Sequence, residues 1–70
     1  MEVVFSSHAL FRIKKRNLST EEVLEVINYP DKVTKRHEKY YYEKKVLKGT
    51  LEVPCEKTET HLKVLTVYWL

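Results

Sequence analysis

Among seventy residues there is one glycine, one cysteine and no glutamine, and each scarcity closes off a class of protein. A single thiol, Cys55, cannot form an internal disulfide. With no CxxC pair and no close His/Cys cluster, there is no pattern for structural zinc or another metal. One glycine, Gly49, excludes the glycine-rich loops that cradle nucleotide phosphates, so no nucleotide cofactor is expected. No apolar run is long enough to span a bilayer, and none reads as the hydrophobic segment of a secretory signal. A lone thiol suits a reducing compartment, so a soluble cytoplasmic protein without membrane association is expected.

Length sets the next limit. Residues 1–70 make one small domain with a marginal core, and with neither disulfide nor zinc its stability must come from tight apolar packing, a homodimer or a bound partner. Charged residues make up 33% of the chain, a composition that leans thermophilic. The net charge of +3 is unevenly spread: Arg12–Arg16 holds four bases and no acid, and residues 32–48 hold seven bases and two acids. Positive charge gathered in two stretches attracts a polyanion, and the two are expected to converge on one face.

What is present divides into helical and strand textures. Val3–Phe5 reads as a first strand ended by Ser6-Ser7, either of which can cap a helix starting near His8. Asn17 is a stop. Ser19-Thr20-Glu21-Glu22 is a capping box, and Val23, Leu24, Val26 and Ile27 give the helix behind it an apolar face, which Pro30 ends at about Tyr29. From Asp31 onward β-branched and aromatic runs predict strands at Lys32–Arg36, Tyr40–Leu47, Thr50–Cys55 and His61–Leu70. Turns fall at His37-Glu38-Lys39, Lys48-Gly49 and 56–59. The last strand is apolar on both faces near its end, which places it centrally in the sheet or at a dimer contact. The order β-α-α-β-β-β-β predicts an α+β domain with two helices packed on an antiparallel sheet.

Two constellations carry chemistry. At about 100° per residue, His8, Arg12, Lys15 and Arg16 share one arc of the first helix while Ala9, Leu10 and Ile13 share another. Histidine can pass a proton near neutral pH, and arginine offers a planar donor fork for phosphate. In RNA cleavage His8 would take the 2′-hydroxyl proton while Arg12 and Arg16 stabilise the charge on phosphorus; a binding role without chemistry uses the same residues. Tyr40-Tyr41-Tyr42 with Lys44 and Lys45 is the second. Alternation puts Tyr40 and Tyr42 on one face and Tyr41 on the other. Aromatics among lysines suit stacking on unpaired bases above a phosphate track, which Arg36 could extend, and tyrosine is equally a good strand former. Cys55 reads as a buried inert thiol and His61 as a surface residue.

The opening strand, then His8-Ala9 with Arg12 and Arg16 at four-residue steps, a second helix ending in Asn28-Tyr29-Pro30, and the Gly49 hairpin resemble an uncharacterised family of small prokaryotic domains. The element order is also similar to RelE, ParE and BrnT, small toxins of toxin–antitoxin operons. The first resemblance marks His8, Arg12 and Arg16 as characteristic positions. The second implies a metal-independent endoribonuclease with RNA as substrate and an antitoxin protein as partner, although no RelE-type C-terminal catalytic segment is recognisable. A non-catalytic module for nucleic acid or protein is the alternative.

Overall fold

A computed structural model describes residues 1–70. The elements are β1 (Glu2–Phe5), α1 (Ser7–Lys15), α2 (Thr20–Asn28), β2 (Lys32–Arg36), β3 (Lys39–Val46), β4 (Gly49–Lys57), β5 (His61–Val64) and β6 (Tyr68–Trp69). The α+β reading holds, with two corrections. The sheet is mixed, not antiparallel, because β1 runs parallel to β5 with Val3 opposite Leu62 and Phe5 opposite Val64. The predicted last strand is also two strands, which makes six. The order is β1-β5-β4-β3-β2, with β6 paired to β4. β5 is therefore interior, while β4 takes the centre.

The helix boundaries follow local chemistry. Ser6 caps α1, its Oγ accepting from Ala9 N at 2.9 Å. At the other end Asn17 takes a left-handed conformation, φ 56°. Asn17 N donates to Lys14 O and Leu18 N donates to Ile13 O, the double bond pattern that closes a helix through a C′ residue. Ser19 and Glu22 satisfy each other's amides, at 2.8 and 3.1 Å. The capping box expected from the sequence therefore starts α2.

The break between β5 and β6 has a physical cause. Pairing of Cys55 with Val64 would carry on to Pro54 and Leu65, but Pro54 has no N–H to give the ladder. When pairing resumes, Leu51 faces Trp69 and Glu52 faces Tyr68, a register advanced by one residue. This is a β-bulge, and it switches which residues face the helices. Val67 and Trp69 turn inward after it while Tyr68 turns out, which is why the segment reads as apolar on both faces.

Ala9, Ile13, Val23 and Val26 of the helices pack on Leu51, Val53, Cys55, Leu62, Val64 and Val67, forming one core of ten buried residues. The apolar terminal segment is largely consumed by this core. The other face of the sheet carries no helix.

Candidate nucleic-acid interface

The bulge fixes where α1 lies. Leaving a ladder costs carbonyls their partners, and α1 supplies replacements at both ends. Ser6 Oγ donates to Leu65 O at 3.0 Å and Arg16 Nε donates to Val67 O at 3.2 Å. The helix is thus held along residues 65–67 with Ala9 and Ile13 buried beneath it. Its opposite arc presents His8 and Lys15 exposed and Arg12 and Arg16 half-buried.

Those cations are uncompensated. The molecule's one ion pair is Lys44 with Asp31, at 3.9 Å on the other side of the fold, so Arg12, Lys14, Lys15 and Arg16 all keep their charge available to an anion. Between two of them stands Phe11, 58% exposed, its ring centre 5.9 Å from the Arg12 guanidinium and 5.7 Å from the Lys15 ammonium. Sequence reasoning missed Phe11. The signal was present in the helical angle, which sets residue 11 beside Lys15 and away from Ala9 and Ile13. Leu10, assigned to the packing face, is instead 48% exposed.

The β3 constellation divides. Register puts Tyr40, Tyr42 and Lys44 opposite Cys55, Val53 and Leu51 on the helix-covered side, and Tyr41, Glu43 and Lys45 on the open side. Arg36 shares the open side, its guanidinium 4.3 Å from the centre of the Tyr41 ring. The basic stretches therefore do not converge on one face. Tyr42 packs on the core, where burial, with smaller contributions from Cys55 and Tyr40, raises its pKa. Lys44 Nζ is spent on Tyr29 O, 2.9 Å away, closing the C-terminal end of α2. Tyr40 stays half-exposed between Lys35 and Lys57, at 5.5 and 5.3 Å. The side chain of Lys45 is exposed, and its backbone amide donates to Asp31 Oδ2.

On the open face the Tyr68 hydroxyl donates to Glu52 Oε2. Glu52 is only 8% exposed, although no helix covers it. Burial first, then the hydrogen bond and charge of Glu52, push the Tyr68 phenol up to about 12. Cys55 is fully buried, with burial pushing its thiol up to about 12, so the inert reading stands. His61 is half-buried and faces Thr60 Oγ1 at 3.1 Å. No group of three His, Cys, Asp or Glu side chains is arranged to hold a metal, and no helix is long and apolar enough to cross a membrane.

Residues 5–69 match the sequence model of the family described as a domain of unknown function, DUF4258, and the chain belongs to that family. No curated protein and no solved structure is significantly similar to it.

Proposed function

We propose that this member of the DUF4258 family binds single-stranded RNA along the outer arc of α1. The observation that carries the reading is the uncompensated cluster Arg12, Lys14, Lys15 and Arg16 with exposed Phe11 set among it. Lysine and arginine neutralise phosphates while an aromatic ring accepts an unpaired base, the combination that holds single strands without reading sequence.

Cleavage is the second reading, favoured by His8 sharing the arc of Arg12 and Arg16. His8 would take the 2′-hydroxyl proton as that oxygen attacks phosphorus. The 5′-oxygen would leave taking a proton from water, giving 2′,3′-cyclic phosphate and 5′-hydroxyl ends. No hydrogen bond orients the imidazole in the free protein, so the RNA itself would have to position it. The resemblance to RelE- and BrnT-like toxins supports this version, with an antitoxin segment as the partner that covers α1.

Fluorescence anisotropy with a labelled oligonucleotide tests binding. Three to four phosphate contacts predict an affinity loss of about 20- to 50-fold between 50 and 200 mM salt, and Arg12→Ala should lower the salt slope by about 0.7. Salt-independent binding, or none at low salt, sinks the proposal. For cleavage, His8→Ala should lose about 10²–10⁴ in rate with affinity retained and EDTA without effect. An unchanged rate removes His8 from the chemistry.

A further inference from the structure

The one cavity in the molecule, about 410 Å³, lies between α2 and the closed end of the β3–β4 hairpin. That volume falls within the ~300–1,000 Å³ of small-ligand sites. Leu18, Leu51 and the indole of Trp69 give it apolar walls, Glu25 stands on the α2 side, and Lys48 on the hairpin side. Glu22 and Lys44 also line it but are committed elsewhere, Glu22 to the capping box and Lys44 to Tyr29 O. Glu25 and Lys48 are exposed and form no ion pair. The Trp69 side chain is thus flanked by a free acceptor on the α2 side, Glu25, and by free cations on the hairpin side, where Lys45 lines the cavity beside Lys48.

One stretch of backbone and one hydrogen bond tie it to the α1 arc. Leu18 is the second residue after Arg16, its amide closing α1 on Ile13 O. Trp69 lies two residues past Val67, whose carbonyl Arg16 holds. The cationic stripe therefore ends beside the pocket.

We infer that this pocket accepts a guanine nucleotide: the ring against Trp69, the donor edge on the Glu25 carboxylate, the phosphate toward Lys48. Guanine is favoured because its N1–H and N2–H lie side by side and can both donate to one carboxylate. Adenine and cytosine offer a single amino group, and the one N–H of uracil is flanked by carbonyls that a carboxylate repels. The inference rests on the RNA reading for its source, a residue of the strand held on α1. A free nucleotide carries the same chemistry, and the two are separable.

Trp69 is the only tryptophan, so its fluorescence reports the pocket directly. The protein is titrated with GMP, UMP, ribose 5-phosphate and the pentanucleotides UUGUU and UUUUU. GMP should quench with Kd at least about tenfold below that of UMP, and ribose 5-phosphate should leave the indole unperturbed. Glu25→Gln, which keeps the shape, should bring the GMP/UMP ratio near one. Lys48→Glu should weaken every nucleotide, and because both positions are exposed, thermal unfolding should show both variants folded. Binding of UUGUU more than tenfold tighter than GMP, weakened by Arg12→Ala, assigns the site to RNA. Equal Kd for the two, indifferent to Arg12→Ala, leaves a free-nucleotide pocket and removes the RNA reading. Salt-dependent binding of UUGUU on α1 without quenching overturns the pocket and spares that reading. No quenching by any nucleotide, or a GMP/UMP ratio unmoved by Glu25→Gln, overturns the inference.

Discussion

At the scale of single residues, the decisive question is which charged and aromatic side chains are free and which are already employed. Arg16 and Lys44 look alike in sequence, basic residues in basic runs, yet each donates to a carbonyl left over by the backbone, one at the bulge and one at the end of α2. A local reading cannot see those carbonyls, because one arises from strand register and the other from where two elements meet. Arg16 can still offer its remaining guanidinium donors to a phosphate, whereas the Lys44 ammonium is largely consumed. Phe11 is the reverse case, counted by type with the apolar residues and placed by angle with the cations. Truncating it tests that placement. Phe11→Ala should leave the unfolding midpoint nearly unchanged, since the ring is 58% exposed. It should weaken single-stranded RNA by roughly tenfold, the loss of a stacked base at about 1–3 kcal/mol. A variant that unfolds early while binding RNA normally would make Phe11 a packing residue instead.

At the scale of elements, caps and turns were legible because their causes lie within a few residues. Ser6, Asn17 and the Ser19–Glu22 box all sit where the sequence puts them and the first hairpin turns at His37-Glu38, whereas the second turns at Leu47-Lys48, one residue early, and β4 runs on to Lys57 through half of the expected turn at 56–59. The split of the last strand was not legible, although Pro54 inside a strand was its local signal. The register shift it causes is visible only once Leu65 is opposite Pro54. Parallel pairing of β1 with β5 is equally non-local, joining residues some sixty positions apart.

One turn stores strain that can be measured. His37 and Glu38 link β2 and β3 with φ of 50° and 66°, a pair of left-handed residues that a two-residue hairpin requires and that Asn-Gly supplies at least cost. The double substitution His37→Asn, Glu38→Gly should stabilise the protein by about 1 kcal/mol, a rise in Tm of about 4–8 °C for a domain this size. An unchanged Tm would mean the existing pair already meets the turn without penalty. Gly49, at φ 139°, is the converse. An added methyl group would meet Trp69 at an ordinary 3.7 Å, so a Gly49→Ala loss would come from the backbone, not from crowding.

For the molecule as a whole, stability rests on ten buried side chains without disulfide or metal cross-link, which makes it sensitive to any charge forced into that core. Cys55 lies on β4, the central strand of the sheet, its thiol pushed up from 9.0 to about 12 by burial. On the other face Tyr68 is pushed up from 10.0 to about 12, by burial and then by Glu52. In both groups the ionised form is negative, so a raised pKa means the folded chain keeps a proton that the unfolded chain gives up. Below pH 9 both states are protonated and the contribution to stability is complete. As pH climbs from 9 toward 12, the unfolded state sheds protons first and the fold loses ground, Cys55 acting from the start of that window and Tyr68 from about pH 10. Urea midpoints measured between pH 7 and 11.5 should therefore hold to about pH 9 and then fall steadily. Tyr68→Phe should lessen the slope only above pH 10, where Tyr42, whose pKa burial also raises, continues to contribute. Cys55→Ala should flatten the part below pH 10 while lowering the whole curve, because the small cavity it leaves in the core costs stability at every pH. A wild-type midpoint that stays level through pH 11 would show that neither buried proton is linked to folding, and a Cys55→Ala curve parallel to a falling wild-type curve would remove Cys55 from that linkage.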